Sequence, residues 1–305
     1  MLAFIFPGQA SQFVGMGNDL YEKFNLAKEY YQKADEITGL ALKNISFNGP
    51  LEELKQTKIT QPAIFVHSVI LAKLLSEKGI SPQMVAGHSL GEYSALVAAE
   101  VLSFEDALKI VALRGKLMQE AGEKQKGTMA AVIGLASDKI QAVCDEASEV
   151  GIVQAANFNS PGQIVISGSV EGVHKAMELA KTTGAKIVKE LVVSGAFHSP
   201  LMKPAEEELS EELKKANFQN AKIPIFANVT AKAVTDANEI RELLIKQLTS
   251  PVLWENLSQE MISSGATKFL EVGPGNVLKG LLKRIDRSAV CETVGQIEEY
   301  ENLEL

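Results

Sequence analysis

The sequence predicts an α/β protein with a mainly parallel sheet and a smaller inserted domain. Short apolar segments rich in Val, Ile, Phe or Ala alternate with longer segments of helical spacing. That alternation is typical of parallel sheets flanked by helices. One block in the middle of the chain departs from it. The chain has 305 residues, 46% of them hydrophobic, which is enough for one large domain or two smaller ones with a sizeable core.

The alternating part of the chain gives the elements of the larger unit. Its predicted strands lie near residues 2–6, 84–88, 223–229 and 268–272, and its predicted helices include residues 63–77, 104–120, 240–248 and 254–263. No internal repeat and no low-complexity linker interrupts them. These elements predict one open α/β sheet whose carboxyl ends are the place to look for a ligand site.

The departing block predicts a second, smaller domain. A strand at 128–135, a helix at 137–148, strands at 152–157 and 163–167, a helix at 169–183 and a strand at 186–193 follow one another. This β-α-β-β-α-β order is the ferredoxin-like pattern. Because elements of the larger unit lie on both sides, we expect a large domain at 1–126 and 196–305 with residues 127–195 inserted in it. A cleft between two domains is a common ligand site.

A nucleophile elbow is predicted where the second strand ends. Gly87-His88-Ser89-Leu90-Gly91 follows that strand and opens a helical stretch. In a G-x-S-x-G turn the serine hydroxyl is lifted out of the sheet, as in α/β-hydrolase-like domains. The Leu90 N–H would then lie at a helix N-terminus, where it can bind an oxyanion. The alternative is a glycine-rich turn whose serine only caps the helix.

A serine nucleophile needs a base, and the chain has four histidines. His88 precedes the serine, so its side chain should point away from the Ser89 hydroxyl. His67 lies in the middle of a helix, and His174 lies among polar positions. His198 follows a predicted strand where the chain returns to the larger domain. Elimination therefore favours His198 as the base, the alternative being a loop histidine with no catalytic part.

The sequence shows no third member of a triad. No lone Asp lies at a strand end between Ser89 and His198, as the hydrolase order requires. A backbone carbonyl or an amide can also orient a histidine, so the sequence favours a Ser–His dyad. Arg114 shares the apolar face of its helix, and a charge placed there needs a partner. It is either a clamp for a substrate carboxylate or part of a structural ion pair.

Two glycine-rich turns follow predicted strands. Gln9, in Pro7-Gly8-Gln9, emerges at the carboxyl end of the first strand, where open α/β sheets place ligands. The turn Gly273-Pro274-Gly275 could be read as a phosphate-binding turn, but it lacks the P-loop lysine pattern. A structural turn or helix start is favoured there.

Composition excludes several classes of function. The formal net charge is −8, so nucleic-acid binding has no electrostatic support. The two cysteines, Cys144 and Cys291, lie far apart, which fits a reducing cytoplasm and argues against a cysteine-based metal site. The first apolar run is too short for a signal peptide. We also expect no later segment to approach the roughly 20 apolar residues of a membrane span.

These motifs together resemble the malonyl-CoA:acyl-carrier-protein transacylases over about residues 3 to 286. The resemblance is carried, in order, by Phe6-Pro7-Gly8-Gln9-Ala10-Ser11-Gln12, Gly87-His88-Ser89-Leu90-Gly91-Glu92-Tyr93, Arg114-Gly115, Asn159-Ser160-Pro161-Gly162-Gln163, Gly195-Ala196-Phe197-His198-Ser199, Gln247 ahead of Ser250-Pro251-Val252, and Glu271-Val272-Gly273-Pro274-Gly275. The inserted domain is similar to that family's architecture. Ala10, where the family often has Gly, is a departure of one methyl group.

The resemblance implies a role for each site residue. Ser89 would carry the malonyl ester, with His198 as its base. The N–H groups of Gln9 and Leu90 would form the oxyanion hole. Arg114 would bind the malonyl carboxylate, and the Gln247 carbonyl would orient His198. Met118, Asn159 and Phe197 would line the substrate pocket, where Leu90 and Phe197 go with malonyl rather than methylmalonyl groups.

The implied substrates are malonyl-CoA and the phosphopantetheine thiol of an acyl carrier protein, with no cofactor, nucleic acid or membrane. Fatty-acid elongation is the expected pathway, and a free-standing acyltransferase for a polyketide synthase is the alternative. A serine esterase or thioesterase would share the elbow but not need Arg114. A carrier-binding protein without catalysis would not need Ser89. We expect a free-standing, monomeric, cytoplasmic enzyme.

An acidic carrier protein needs a basic docking surface on this acidic chain. Two candidates follow from the sequence. Lys279, Lys283, Arg284 and Arg287 cluster in one predicted helix, and Lys181, Lys186 and Lys189 lie on the small domain. The first cluster also fits a helix C-terminus that favours cations.

Overall fold

Two β-sheets organise the chain in the computed structural model, which describes residues 1–304. The strands are β1 Leu2–Phe6, β2 Met84–Gly87, β3 Gly127–Ile133, β4 Val153–Ser160, β5 Gln163–Ser169, β6 Ile187–Glu190, β7 Ile225–Phe226, β8 Ala233–Val234, β9 Lys268–Val272 and β10 Val290–Val294. The helices are α1 Asn18–Lys23, α2 Asn25–Thr38, α3 Leu42–Asn48, α4 Leu51–Leu54, α5 Thr57–Glu77, α6 Gly91–Ala98, α7 Phe104–Lys124, α8 Ser137–Ala147, α9 Val170–Thr182, α10 Lys203–Lys215, α11 Ala237–Gln247, α12 Trp254–Ser263, α13 Val277–Ile285 and α14 Ile297–Glu301. A short 3-10 helix, Pro200–Met202, precedes α10.

The larger sheet has the strand order β10-β9-β1-β2-β7-β8. Its pairs are parallel except the last, β7–β8. β1 lies in the interior of the sheet and is apolar throughout, as expected of a strand covered on both faces. Phe6 pairs with Gly87, so the turns that follow β1 and β2 lie side by side at one edge of the sheet.

The second sheet is antiparallel, with the strand order β4-β5-β3-β6. Its elements follow one another in the predicted order, between α7 and the 3-10 helix. α8 and α9 pack on one face and close a separate apolar cluster. The opposite face contributes Met129, Ala156 and Val165 to the core of the larger unit. The fold is therefore α/β, with one mostly parallel sheet and one separate antiparallel sheet.

The β4–β5 hairpin differs from its prediction. β4 continues to Ser160, past the predicted end at 157, and the connection shrinks to Pro161-Gly162. The extension is held from outside the hairpin: Phe158 N donates to Val252 O, and Val252 N donates to Ala156 O, each at 2.9 Å. Local sequence contains no sign of this pairing with a distant segment.

Other element boundaries also differ. The strand predicted at 223–229 is reduced to Ile225–Phe226, because a tight turn follows in which Ala227 N donates to Lys232 O. α5 begins at Thr57 rather than at 63. β8 and β10 were not predicted at all. Both lie at the edges of the sheet, where few apolar positions are needed.

α5 corrects one expectation about membranes. Among residues 1–304 it is the one helix long and apolar enough to cross a membrane by length and composition. The sequence-based expectation that no segment reaches this limit was therefore wrong. However, 83% of its most apolar 18-residue window is buried inside the protein, where the helix packs against α7 and α6.

The turn after β9 is closed by the carboxylate of Glu271, which lies near the end of that strand. Glu271, which is fully buried, accepts hydrogen bonds from Leu278 N at 3.0 Å and Lys279 N at 2.8 Å. These amides are at the N-terminus of α13, where a phosphate would otherwise bind. The glycine-rich turn at 273–275 is accordingly a structural helix start.

We predict that Glu271→Ala destabilises the protein, because two amides at the start of α13 lose their acceptor. Loss of an N-terminal acceptor costs about 0.5–2 kcal/mol, and burial puts this case at the upper end. Urea unfolding followed by circular dichroism measures the change. The control is Glu171→Ala, an exposed acid in the first turn of α9, expected to cost less than about 0.5 kcal/mol. Equal losses would contradict the capping role.

Candidate active site

Ser89 lies in a tight turn between β2 and α6. Its backbone has φ = +50°, in the left-handed region that costs free energy for a residue with a side chain. The two flanking glycines permit the approach of neighbouring backbone. A Cβ on Gly87 would lie 1.9 Å from Gly91 C, and one on Gly91 would lie 2.1 Å from Phe6 O. The turn therefore has the geometry of a nucleophile elbow.

Asn228 holds the elbow from the neighbouring strand. Its Oδ1 accepts from Ser89 N at 2.7 Å, and its Nδ2 donates to Gly87 O at 2.7 Å. The residue is fully buried and follows β7 directly, in the tight turn that ends that strand. The left-handed conformation of Ser89 is thus fixed by two hydrogen bonds from a third segment.

His198 forms a dyad with Ser89. Ser89 Oγ lies 2.8 Å from His198 Nε2. His198 Nδ1 lies 2.9 Å from Gln247 O and 3.2 Å from Ser250 O. Because carbonyl oxygens only accept, Nδ1 must carry the proton. In the neutral ring Nε2 is then the bare nitrogen that accepts from the serine hydroxyl. Two main-chain carbonyls occupy the place that an acid takes in a triad.

The surroundings of His198 keep its ring neutral. Burial and, after it, the positive charge of Arg114 lower the pKa of His198 to about 3, although the carbonyl contacts oppose the shift. A base must be unprotonated to accept a proton, so the ring is in its reactive form at neutral pH.

Arg114 brings a buried positive charge to the nucleophile. Its side chain is 0% exposed. Nη1 donates to Gln61 Oε1 at 2.7 Å, and Nη2 donates to Gln247 Oε1 at 2.9 Å and to Ser89 Oγ at 3.1 Å. The guanidinium also lies over the Tyr93 ring, 5.5 Å from its centre. Among residues 1–304 no carboxylate contacts it, so this charge is not part of an ion pair.

Gln247 contacts Ser89, His198 and Arg114. Its main-chain carbonyl accepts from His198, its Oε1 accepts from Arg114, and its Nε2 donates to Ser89 O at 3.0 Å. The same Nε2 donates to Glu92 Oε2 at 2.6 Å. Glu92 is 3% exposed, and burial raises its pKa to about 7.

The antiparallel sheet also reaches the site. Gln154, on β4, donates from Nε2 to His198 O at 2.8 Å and to Thr249 O at 3.2 Å. It thereby holds both the left-handed backbone of His198, with φ = +56°, and the segment whose carbonyls orient the ring. Asn159 contacts the other side of the elbow: its Oδ1 lies 2.9 Å from His88 Nε2. The His88 side chain thus points away from the Ser89 hydroxyl.

The remaining predicted residues lie around this centre. Gln9 is half-buried, with its amide 3.4 Å from Thr57 Oγ1, and Leu90 is the N-cap residue directly before α6. Within the described residues neither main-chain N–H donates to a protein acceptor. Met118 is buried, with its sulfur 3.2 Å from Gln61 Nε2. Phe197, which is 7% exposed, precedes the base.

Sequence reasoning missed four polar residues of the site. They are Gln61, Glu92, Gln154 and Asn228. Gln61 and Glu92 lie on helices that are otherwise apolar, α5 and α6, and a polar residue at such a position signals a partner. Asn228 lies near the end of the strand predicted at 223–229, where ligand-site residues are expected. Gln154 gives no such signal.

Within 1–304 no group of three or more His, Cys, Asp or Glu side chains could hold a metal ion. The basic residues Lys279, Lys283, Arg284 and Arg287 are exposed, but Arg287 lies beyond the end of α13, so the predicted helix holds only three of them. Arg284 contacts Gln163, at the start of β5.

The chain is similar to known proteins over nearly its whole length. Residues 3–303 match the acyl transferase domain family. A malonyl CoA-acyl carrier protein transacylase of Bacillus subtilis is 47% identical, over 98% of this chain and 95% of the relative. A crystal structure of an acyl carrier protein S-malonyltransferase from Vibrio cholerae has a TM-score of 0.96 and 42% identity, covering 99% of both chains. A type II PKS acyl-carrier protein in complex with its malonyl-transacylase gives a TM-score of 0.95 at 41% identity, with 98% and 97% covered.

We predict that the His198 ring stays neutral between pH 5 and 8, because its pKa lies well below that range. NMR spectra of protein labelled at histidine Cε1 should show no protonation shift for the signal that disappears in His198→Gln. In Arg114→Gln the pKa should rise, since one cause of its depression is removed. A full titration of the wild-type ring near pH 6.5 would contradict the assignment.

Proposed function

The chain belongs to the acyl transferase domain family, and from this premise we propose that it transfers the malonyl group of malonyl-CoA to acyl carrier protein. The acceptor is the phosphopantetheine thiol, and the product supplies fatty-acid chain elongation. The enzyme is thus an acyltransferase, a malonyl-CoA:acyl-carrier-protein transacylase. One observation carries the proposal: the buried Arg114 guanidinium, which contacts no carboxylate among residues 1–304, lies 3.1 Å from the hydroxyl of Ser89.

The reaction proceeds in two half-reactions through an ester of Ser89. In the first, His198 Nε2 takes the hydroxyl proton as Ser89 Oγ attacks the thioester carbonyl, and the proton then leaves with the thiol of coenzyme A. In the second, His198 takes the proton of the carrier thiol as its sulfur attacks the ester, and returns it to Ser89. The N–H groups of Gln9 and Leu90 bind the oxyanion in both steps.

Arg114 selects the acyl group. A guanidinium can grip a carboxylate through two parallel hydrogen bonds, and Nη2 already lies beside the nucleophile. The malonyl carboxylate would replace the contact with Ser89 Oγ and hold the acyl carbonyl in place. Met118, Asn159 and Phe197 form the walls of this pocket. A serine esterase for uncharged esters has no use for a buried cation here, so the arrangement does not favour one.

A free-standing acyltransferase for a polyketide synthase is the second candidate. One solved structure bears on it, a type II PKS acyl-carrier protein in complex with its malonyl-transacylase, but the comparisons as a whole do not favour it over fatty-acid elongation. Both candidates catalyse the same chemistry. Most similar proteins carry the transacylase name without a pathway, and we retain fatty-acid elongation as the proposal.

Several finer assignments belong to the same proposal. The larger unit, 1–126 and 196–305, is taken as α/β-hydrolase-like, supported by the elbow at the end of a parallel strand. The insertion, 127–195, is taken as ferredoxin-like, supported by its element order and antiparallel strand order. We further propose a monomer that works in the cytoplasm without a cofactor. The two free cysteines, Cys144 and Cys291, suit a reducing compartment.

The proposed chemistry predicts a covalent malonyl adduct on Ser89. Intact mass spectrometry after brief incubation with malonyl-CoA should show this adduct on the wild type and not on Ser89→Ala. Added carrier protein should remove it and gain the malonyl group. Acetyl-CoA, lacking the carboxylate, should label the wild type at least about 10-fold more slowly, as expected when a charge-assisted hydrogen bond is missing. Equal labelling of Ser89→Ala, or no adduct with any donor, would contradict the proposal.

The carrier is proposed to dock on the exposed basic residues of α13. Charge reversal at Lys279 and Lys283 should raise the KM for carrier protein about 10-fold, because an acidic partner is then repelled. The half-reaction with coenzyme A should change less than about 2-fold, since neither residue contacts the dyad. The matched control is reversal at Lys181 and Lys186 of the antiparallel unit. A larger effect of the control pair would place docking there, and equal effects on both half-reactions would exclude either patch.

A further inference from the structure

The side-chain amide of Gln247 can work only in one orientation. Its Oε1 faces Arg114 Nη2, and its Nε2 faces Ser89 O. If the amide were rotated by half a turn, its Nε2 donor would face the Nη2 donor of Arg114. Its Oε1 acceptor would then face the carbonyl oxygen of Ser89, and both hydrogen bonds would be lost. The remaining N–H of Nε2 is buried, and its acceptor is the Glu92 carboxylate at 2.6 Å.

Glu92 lies one layer behind the reacting atoms. The same Oε2 that accepts from Gln247 also lies 3.4 Å from the main-chain N–H of Asn228, the residue that fixes the elbow. Glu92 lies in the first turn of α6, only three residues after Ser89. A buried carboxylate is costly, and here it is compensated by hydrogen bonds to two segments that build the site.

We propose that Glu92 is a positioning residue, which fixes the amide of Gln247 and through it the Arg114 guanidinium that receives the acyl carboxylate. This inference rests on the proposed function and adds a determinant of its acyl-group specificity. Arg114 has two side-chain amide acceptors, on Gln61 and Gln247. When an arriving carboxylate takes the contact now made to Ser89 Oγ, those two amides must hold the guanidinium in place. Loss of the Glu92 acceptor frees one of them.

The consequence is selective for acyl groups that carry a carboxylate. A malonyl group needs the guanidinium in its present position to bind the carboxylate, whereas an acetyl group has no carboxylate and does not contact the guanidinium. General damage to the dyad or the elbow would slow both donors alike. The ratio of kcat/KM for malonyl-CoA to that for acetyl-CoA therefore reports on positioning of Arg114 and not on stability.

The test uses three substitutions at Glu92 in the full chain. Glu92→Met removes the acceptor and keeps the volume. Glu92→Asp keeps the charge but is one methylene too short to reach Gln247 Nε2. Glu92→Gln keeps an acceptor oxygen at the same reach without the charge. Arg114→Ala gives the malonyl-to-acetyl ratio of kcat/KM that is expected when no guanidinium binds the carboxylate. Labelling of wild-type Ser89 by malonyl-CoA is measured before the variants are compared.

Glu92→Met and Glu92→Asp should lower the malonyl-to-acetyl ratio about 10- to 100-fold, the range that follows from losing a charge-assisted hydrogen bond. Glu92→Gln should retain the ratio within about 3-fold, because the acceptor is kept. An unchanged ratio in Glu92→Asp, or a loss in Glu92→Gln as large as in Glu92→Met, would overturn the inference. Should Glu92→Met not fold, Asp and Gln alone decide it. Absence of a malonyl adduct on the wild type would instead overturn the proposed function.

Discussion

The buried charge of Arg114 is the constraint on which the rest of the site depends. A cation withdrawn from water needs partners for its donors. A carboxylate in direct contact would satisfy them best, but it would also occupy the place of an anionic substrate. Here two neutral amides, those of Gln61 and Gln247, accept from the guanidinium instead. Nη1 and Nη2 are thereby satisfied, whereas the buried Nε has no hydrogen-bond partner, and among residues 1–304 no carboxylate contacts the charge. In the proposed reaction that surplus of positive charge is what binds the malonyl carboxylate.

Two strained residues face each other beside this charge, and each is held from a different sheet. Ser89 and His198 both have positive φ values. Asn228, after β7, fixes the first by two hydrogen bonds, and Gln154, on the antiparallel sheet, fixes the carbonyl of the second. The pairing of β4 with Val252 ties the same sheet to the segment that orients the imidazole. The antiparallel sheet is therefore a structural part of the candidate site, since it holds the backbone of His198.

The sequence predicted the elements that follow from local pattern and missed those that follow from tertiary contact. Strands at 2–6 and 268–272 and the helix at 254–263 needed only apolar spacing and flanking turns. The elbow, His198 in its loop and Arg114 on an apolar helix face could likewise be recognised from the sequence alone. Gln154 was not, because a polar residue at a half-buried strand position looks the same whether it meets water or a carbonyl. The extension of β4 and the edge strand β10 depend on partners distant in sequence.

The neutral carbonyls behind His198 suit acyl transfer better than hydrolysis. An aspartate at that place would raise the basicity of the imidazole, and burial beside a cation does the opposite. A weakly basic imidazole removes a proton from water less readily than from a thiol, because the thiol is the stronger acid. A thiol is also the stronger nucleophile, so its attack on the serine ester needs less assistance than attack by water. The depressed basicity of His198 would thus protect the proposed malonyl ester from water until a carrier thiol arrives.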